Sequence, residues 1–504
     1  MISKKTRNYI IIIIISIFLT FILNSSILFP NIYHQYHFVG ITSIIALGAN
    51  FVFWLAMTLL AGCNRFFRYF AFPCIIVLQT LCITASLKYG TSPAELSIAI
   101  FNACWQETLI YLTFSNIISF SALFASIVLL VYLSSKFSPL KTNKKPALIS
   151  CIIAVFLFIP FSIPYLYCYA KKLSNPAYKD DPITFEAIEP ISPSQHFIIS
   201  LYDYLTPPEL ADAACYNSLL TDNPSPEIII LYIGEAYRAD HSPLNGYRRN
   251  TMPAVSKETN IINFPFVHSR ATQTLSAIYS ILTLTSPTTG EASHNSFISI
   301  FKKHNFKNHL LVGANTGGKW YLTSRIAPLL HNQISLHSNP ESPNAYKKAI
   351  EKILEDKSSP IFVLIEDGAG HQPYNSENTT FGTDSEMNKY DNCLVDVDAR
   401  LHAIINALKN TNAILIFTSD HGESFGEGGR YGHAGPISAK EQTHVCTFIW
   451  YSDKYAETHP EIINNLKNNV DKFTSHDNIY HTIISIAGIQ SEVQIMKQDM
   501  TKEL

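Results

Sequence analysis

The sequence lacks the features that mark several common classes of protein. Its 37 Lys and Arg residues are offset by 39 Asp and Glu residues, so the net charge is -2 and no large basic surface indicates nucleic-acid binding. None of its nine cysteines forms a Cys-x-x-Cys pair, which argues against a cysteine zinc knuckle or a thioredoxin-like motif. Internal repeats and low-complexity tracts are absent as well. The function must therefore be inferred from local motifs.

Most of the cysteines lie in the apolar first third, where we expect them to be small buried hydrophobic residues. Cys215, Cys393 and Cys446 lie outside that third and can form at most one disulfide among themselves. The sequence leaves open whether they do.

Charge is scarce in the first third of the chain, where five long apolar runs occur. About 20 apolar residues cross a bilayer as a helix. The first run is too long for the apolar part of a cleaved signal peptide and lacks a clear small-residue cleavage site. We therefore predict a transmembrane domain of five helices at residues 1–170. The predicted spans are 8–30, 38–61, 70–87, 111–133 and 146–169.

The distribution of Lys and Arg predicts the orientation of these spans, because cytoplasmic loops carry an excess of both. Basic residues precede the first span and recur in the second and fourth connections. They are Lys4, Lys5, Arg7, Arg65, Arg68, Lys136, Lys141, Lys144 and Lys145. The connection 31–37 has none and 88–108 has only Lys88; the latter is either a solvated loop or a helix at the membrane surface. An odd number of spans then places the remainder of the chain outside the cytoplasm.

The composition changes again after the last apolar run. Residues 171–226 are polar and contain eight prolines, which predicts a linker with short helices. From residue 227 onward, short apolar runs alternate with helical patterns at 344–354 and 390–408. Such alternation predicts an α/β/α domain with a mostly parallel sheet at residues 227–504. The predicted strands are 228–233, 309–312, 361–365, 413–417 and 445–451.

The fourth of these strands leads directly into Asp420 and His421. Ligands of open α/β sheets bind beyond the carboxyl ends of the strands, and an Asp oxygen and a His nitrogen are common zinc ligands. Gly422 and Gly426 allow the backbone to turn tightly beside a bound group. By itself the segment is explained equally well as a polar loop.

Other strand ends carry the same types of residue. Glu235 follows the first strand, His371 follows the third, and His433 comes soon after Asp420. Any one of these side chains is more often a solvated or structural residue. Because several of them follow strands of one predicted sheet, together they favour a metal site.

A nucleophile is the next requirement, and residues 268–276 offer hydroxyls just before a helical pattern at 278–284. Thr272, Thr274 and Ser276 all qualify, and the residue types do not choose among them. A hydroxyl at a helix start usually caps the helix. The same place also suits phosphate, and a metal bound to the oxygen would activate it.

These motifs resemble those of the membrane-bound, zinc-dependent phosphoethanolamine transferases, which modify lipopolysaccharide and belong to the alkaline phosphatase and sulfatase superfamily. The resemblance covers nearly the whole chain. It is carried by residues 234–241, 244–247, 251–253, 272–274, 390–392, 419–427, 440–442 and 476–478.

The resemblance implies a role for individual residues. Thr274 would be the nucleophile that takes up phosphoethanolamine, and zinc would be bound by Glu235, Asp420, His421 and Thr274. Four further positions match residues that bind a second zinc or the substrate phosphate. They are His371, His433, Asn315 and Lys319.

The resemblance further implies an enzyme of the bacterial inner membrane with its catalytic domain in the periplasm. Phosphatidylethanolamine would be the donor, and lipopolysaccharide the acceptor, at a core sugar or at lipid A. Arg270 and Ser280 stand where the family often has a disulfide beside the nucleophile. Since lipid A enzymes usually carry several disulfides, this departure favours the core sugars as an alternative acceptor.

Three other functions compete with this one. Another lipid-headgroup transferase, such as a phosphoglycerol transferase, would use the same residues. A sulfatase is disfavoured because the chain has no Cys/Ser-x-Pro-x-Arg segment that could mature to formylglycine. A membrane sensor that has lost catalysis should have lost a ligand, yet Glu235, Thr274, Asp420 and His421 are all present.

Overall fold

The computed structural model describes residues 216–222, 225–285, 292–313, 326–336, 342–433 and 437–504, together with scattered residues between 13 and 74. Within those residues no helix combines the length and the apolar character needed to cross a membrane. The five predicted spans fall wholly or largely outside the described residues, as does most of the predicted linker. Asn315 and Lys319 also lie outside them.

Contacts along the chain separate it into two compact units. They are Met1–Lys179 with Ile183–Thr206, and Asp180–Pro182 with Pro207–Leu504. All the elements given below belong to the second unit.

The strands of the second unit are numbered here in chain order. They are β1 Ser218–Leu220, β2 Ile228–Gly234, β3 Ile261–Asn263, β4 Val267–His268, β5 Thr283–Thr285, β6 Ala292–Ser296, β7 Lys307–Val312, β8 Asn332–Ser335, β9 Ile361–Asp367, β10 Ala413–Ser419, β11 Ser424–Phe425, β12 Tyr431–Gly432, β13 Thr447–Tyr451, β14 Thr474–Ser475 and β15 Ile489–Ser491.

The α-helices of the same unit lie between these strands. They are α1 Thr274–Leu282, α2 Phe297–Lys303, α3 Pro343–Ile353, α4 Glu386–Leu408, α5 Lys440–Thr443, α6 Asp453–Thr458, α7 Pro460–Asn468 and α8 His476–Ile486. Single turns of 3-10 helix occur at Ala239–His241, Pro243–Asn245, Val255–Lys257, Ala327–Leu329, Glu427–Gly429 and Met496–Gln498.

Seven strands form the central sheet, in the order β3-β13-β10-β2-β9-β7-β8. The five strands from β10 to β8 are parallel to one another. β13 pairs antiparallel with both β10 and β3, so the sheet is mixed at that edge. All five strands predicted from the apolar runs lie in this sheet, which confirms the α/β class of the domain.

The central strands are buried on both faces, as expected for parallel strands covered by helices. Along β2, Ile229, Leu231 and Ile233 contribute to one apolar core, to which α1, α2, α7 and α8 also contribute. Their neighbours in the strand face a second core shared with α3 and α4. Cys393 and Cys446 are both buried in this second core.

Candidate metal centre and nucleophile

Parallel pairing aligns the ends of three central strands. Gly234 of β2 pairs with Ser419 of β10 on one side and with Asp367 of β9 on the other. The next residues along the chain, Glu235 and Asp420, therefore leave the sheet side by side. The backbone confirms the alignment, since the Asp420 amide donates to the Gly234 carbonyl at 3.0 Å.

Glu235, Asp420 and His421 converge at this edge. One ligand atom from each lies within 4.8 Å of the others, and this is the one such group of three in the described part of the chain. His421 Nε2 is 3.3 Å from Glu235 Oε1 and 3.4 Å from Asp420 Oδ2. The three side chains are at most 2% exposed. Two carboxylates and one imidazole so close together, away from water, form a donor set suited to a divalent metal ion.

Hydrogen bonds to the backbone orient two of these side chains. Asp420 Oδ1 accepts from the amides of Ala236 and His421 at 2.9 and 2.7 Å, which directs the other carboxylate oxygen toward the imidazole. His421 Nδ1 lies 2.9 Å from the Gly422 carbonyl and donates to it, so Nε2 faces the cluster.

The turn that carries Glu235 is held in an unusual conformation. Ala236 has a φ of 58°, in the left-handed region that side chains other than glycine rarely adopt. The Tyr390 hydroxyl donates to the Ala236 carbonyl at 2.6 Å and accepts from the Arg238 amide at 3.0 Å. The surrounding structure therefore maintains the strained backbone beside Glu235, and such strain is typical of functional sites.

Two glycines permit close contacts between backbone segments at the site. Gly370 lies against the turn that carries Glu235, and Gly422 lies against the backbone of Glu441. A Cβ on Gly370 would lie 2.1 Å from the Glu235 carbonyl oxygen, and one on Gly422 would lie 2.2 Å from the Glu441 carbonyl oxygen. Neither distance is compatible with a side chain. Both positions therefore require glycine because backbone packs directly on backbone.

Thr274 is the first residue of α1, and its hydroxyl faces the cluster. Thr274 Oγ1 donates to Glu235 Oε1 at 3.1 Å and lies 3.2 Å from His421 Nε2. Thr272 is buried just before the helix, and Ser276 is exposed in its first turn. Of the three hydroxyls left open by the sequence, Thr274 is the one that contacts Glu235 and His421 within the described structure.

The two additional histidines lie next to the cluster. The ring centroid of His433 is 4.5 Å from that of His421 and 5.2 Å from that of His371. His371 Nδ1 lies 2.7 Å from the Gln372 carbonyl and donates to it. His433 Nδ1 is 3.5 Å from Glu423 Oε2.

Glu423 is a residue that the sequence analysis did not single out, although it lies within the 419–427 segment. Its side chain is fully buried beside His433. The Glu423 carboxylate also lies close to Tyr374, whose pKa is raised by burial and by that carboxylate. A buried carboxylate next to His433 extends the cluster beyond Glu235, Asp420 and His421. Its only signal in the sequence was its position two residues after His421.

Arg238, also not singled out, connects the two loops of the site. Its guanidinium donates to both oxygens of Asp240 at 2.8 and 2.7 Å, to the Glu423 carbonyl at 3.0 Å and to Glu427 Oε1 at 2.6 Å. The side chain thereby joins the loop after β2 to the loop after β10.

The pKa of His421 reflects the negative charge of the two carboxylates beside it. Burial alone lowers the pKa of its imidazole, but the carboxylates of Asp420 and Glu235 outweigh burial and raise that pKa to about 9. At neutral pH the two carboxylates therefore hold a proton on His421. A metal ion binds the neutral imidazole and would therefore displace this proton. The cluster would then offer the ion one nitrogen and two carboxylates, whose negative charge the ion would balance.

Metal binding should consequently release protons. Below pH 9 the metal-free His421 is protonated, so we expect close to one proton released per ion at pH 7 and an affinity that rises with pH up to about 9. Titration calorimetry of zinc into metal-free protein, in buffers of different ionisation enthalpy, measures this number. A binding heat that is the same in all buffers at pH 7 would contradict the assigned charge state.

Comparison with known proteins gives a consistent picture. A family model described as Sulfatase matches residues 227–489. The chain is 25% identical over 358 residues to phosphoethanolamine transferase EptA of Escherichia coli O157:H7, covering 62% of this chain and 65% of that protein. It is 24% identical over 300 residues to Kdo(2)-lipid A phosphoethanolamine 7''-transferase of Escherichia coli K12, covering 52% of each. The matches thus span less than two thirds of these relatives.

Solved structures show the same fold. The integral membrane lipooligosaccharide phosphoethanolamine transferase A of Neisseria meningitidis aligns over 97% of this chain and 98% of its own, with a TM-score of 0.66 and 19% identity. The C-terminal periplasmic domain of EptC from Escherichia coli, in complex with Zn, aligns over 57% of this chain and 89% of its own, with a TM-score of 0.50 and 20% identity.

Proposed function

Because this chain belongs to the sulfatase family, we propose that it is a phosphoethanolamine transferase. One observation carries the proposal: a helix-initiating hydroxyl, Thr274 Oγ1, in contact with two members of a buried cluster of potential metal ligands. That arrangement fits a reaction in which the threonine is transiently phosphorylated. The names of the relatives support phosphoethanolamine as the transferred group.

The donor in this proposal is phosphatidylethanolamine and the acceptor is lipopolysaccharide. One relative is named for transfer to Kdo(2)-lipid A, and the solved full-length neighbour is named for lipooligosaccharide. Both names support a glycolipid acceptor, at a core sugar or at lipid A. Since the donor and the acceptor are both lipids, an enzyme anchored in the membrane would have access to both.

The metal in this proposal is zinc, which the zinc complex of the EptC periplasmic domain supports. Glu235, Asp420 and His421 would hold the ion, with Thr274 as the fourth ligand. His371 and His433 would bind a second zinc or the phosphate, and Asn315 and Lys319 would contact the phosphate. When bound, zinc would lower the pKa of the threonine hydroxyl and balance phosphate charge.

The chain's own residues position the reacting atoms, and the Thr274 hydroxyl provides the proton that is transferred. Thr274 is fixed at the start of α1, where free amides and the helix dipole favour a phosphate group. Its oxygen forms a bond to phosphorus as the bond to the diacylglycerol oxygen breaks, and the hydroxyl proton ends on diacylglycerol. The acceptor oxygen then forms a bond to the same phosphorus as the bond from Thr274 to phosphorus breaks, and the proton lost by the acceptor ends on the Thr274 oxygen. Catalysis depends mainly on positioning and charge, as in other phosphoryl transfers.

The proposal includes the arrangement of the whole chain. Residues 1–170 form a transmembrane domain of five helices, residues 171–226 a linker with short helices, and residues 227–504 a periplasmic catalytic domain. The Lys and Arg distribution supports this orientation. The solved neighbours, one an integral membrane protein and the other a periplasmic domain, agree with it.

Mass spectrometry of lipid A and of core oligosaccharide tests the function. We expect expression in a Gram-negative host without such enzymes to add phosphoethanolamine to one of the two fractions, and expression of Thr274→Ala to add none. Glycerol phosphate in place of phosphoethanolamine would favour the phosphoglycerol transferase alternative. Unmodified lipopolysaccharide from cells that contain the wild-type protein in their membranes would contradict both.

A further inference from the structure

The segment that presents the nucleophile has no regular secondary structure. Residues 269–273 connect β4 to α1, and Gln273 at the helix start makes no side-chain capping hydrogen bond. At the strand end the segment is anchored, because the Ser269 amide donates to the Thr443 carbonyl at 2.7 Å. The position of Thr274 relative to the cluster therefore depends on what fixes the residues in between.

One side chain of this segment makes an ion pair outside it. Arg270 Nε lies 3.0 Å from Asp477 Oδ2. The carboxylate of Asp477 is 8% exposed, whereas the Arg270 side chain is 39% exposed. Arg270 thus reaches from the loop, four residues before Thr274, to a nearly buried partner on another element.

That partner belongs to a well-fixed helix start. Asp477 is the second residue of α8, and Ser475 and Asn478 form a capping box around it. Ser475 Oγ donates to Asp477 Oδ2 at 3.2 Å. An acidic side chain in the first turn of a helix is also favoured by the helix dipole.

The same helix start also supports the ligand loop. His476 is fully buried, and its Nε2 donates to the Ser419 carbonyl at 2.9 Å, one residue before Asp420. α1 and α8 in addition share an apolar core through Ile278 and Ile479. The start of α8 therefore contacts both β10, which precedes Asp420 and His421, and the loop 269–273, which precedes Thr274.

We propose that Arg270 is a positioning residue that acts through Asp477. The ion pair fixes residues 269–273 against the start of α8 and so sets the distance between Thr274 Oγ1 and the ligand cluster. The effect on turnover rests on the proposed function, whereas the effect on the loop does not. Displacing a nucleophile by about 1 Å costs on the order of a hundredfold in rate, so losing this ion pair should be costly.

A double-mutant cycle on the full-length protein in detergent tests the proposal. The variants are Arg270→Ala, Asp477→Asn and the double mutant; asparagine preserves the shape of Asp477 and removes its charge. Lys409→Ala is the matched control. Lys409 directly follows α4 and forms an ion pair with Glu258 at 2.9 Å. The side chains of Lys409 and Glu258 are 45% and 15% exposed, similar to those of Arg270 and Asp477. The measurements are steady-state kinetics with phosphatidylethanolamine and hydrogen exchange of the amides of residues 269–274.

We expect both single variants to lower kcat by roughly 10- to 100-fold, with the donor KM within about twofold of wild type. The double mutant should be no slower than either, and all three should exchange the 269–274 amides faster. The Lys409 variant should match wild type in both measurements.

Direct phosphate binding by Arg270 would give a different pattern. Arg270→Ala would then raise the donor KM while Asp477→Asn left it unchanged, or the two effects would multiply; either result overturns the proposal. Unchanged exchange of residues 269–274 in the single variants also overturns it. Because exchange is measured without substrate, the ion pair is tested even if the wild type transfers no phosphoethanolamine.

Discussion

Thr274→Ala is expected to abolish transfer, lowering the rate by at least about a thousandfold, the scale seen when a catalytic nucleophile is removed. Its hydroxyl lies 3.1 Å from Glu235 Oε1 and 3.2 Å from His421 Nε2. Folding and metal content should be largely retained, because the three proposed ligands Glu235, Asp420 and His421 remain. Thr274→Ser should keep part of the activity, since the hydroxyl is preserved. Transfer of labelled phosphoethanolamine to lipopolysaccharide measures the loss.

Two neighbouring hydroxyls provide the controls for this substitution. Ser276→Ala removes an exposed hydroxyl two residues away and should be silent, and Thr272→Ala should be milder than Thr274→Ala. With acceptor withheld, the wild type should carry phosphoethanolamine on the peptide containing Thr274. An adduct that maps to another residue, or a Thr274→Ala enzyme that still modifies lipopolysaccharide, would refute the assignment of the nucleophile.

Asp420→Asn is expected to remove the metal and with it the activity. The substitution keeps the shape of the side chain, and one oxygen can still accept from the Ala236 and His421 amides. It removes one negative charge from a buried cluster that must balance a divalent ion. Changing residues that merely support metal ligands costs 10- to 100-fold, so changing a ligand should cost at least about a hundredfold. Elemental analysis of purified protein and the transfer assay measure both effects.

Asp398→Asn is the control for a buried carboxylate, because Asp398 is also buried and accepts from two backbone amides, one on each oxygen, at 2.9 and 2.8 Å. It is not part of the ligand cluster, so its variant should keep the wild-type zinc content. An Asp420→Asn protein with a full complement of zinc and normal transfer would refute the metal site proposed here.

Apolar periodicity identified the central strands of the fold but not its edges. The strands β2, β9 and β10 have continuous apolar runs because both their faces are buried, whereas β7 is apolar only at residues 310–312. β8 is missed because it is polar and largely exposed, and β3 because it has only three residues. The antiparallel direction of β13 was not predicted either, since an apolar run carries no information about strand direction.

The start of α1 shows a similar limit of local patterns. The sequence analysis predicted a helix at 278–284, whereas the helix covers Thr274–Leu282 and Thr283 begins a short strand. Thr274 and Ser276 interrupt the apolar pattern before Ile278 and so conceal the first turn. Backbone geometry shows the start, because Gln273 is extended and Thr274 is helical. This shift places the Thr274 hydroxyl at the helix N-terminus itself.

By itself the sequence determined which residue types follow which strands. Polar residues after the apolar runs indicated Glu235, Asp420 and His421, because the alternation of buried strand and polar loop is a local property of the chain. Choosing Thr274 over Thr272 and Ser276 required the family resemblance.

Only the tertiary structure decided how these residues meet. The register that pairs Gly234 with Ser419 joins segments 185 residues apart, a distance over which no local pattern extends. The burial of Glu423 and the ion pair from Arg270 to Asp477 likewise depend on packing between elements distant in the chain. Hydrophobic burial acts on each segment separately, whereas register and side-chain contacts are fixed only when the segments pack together.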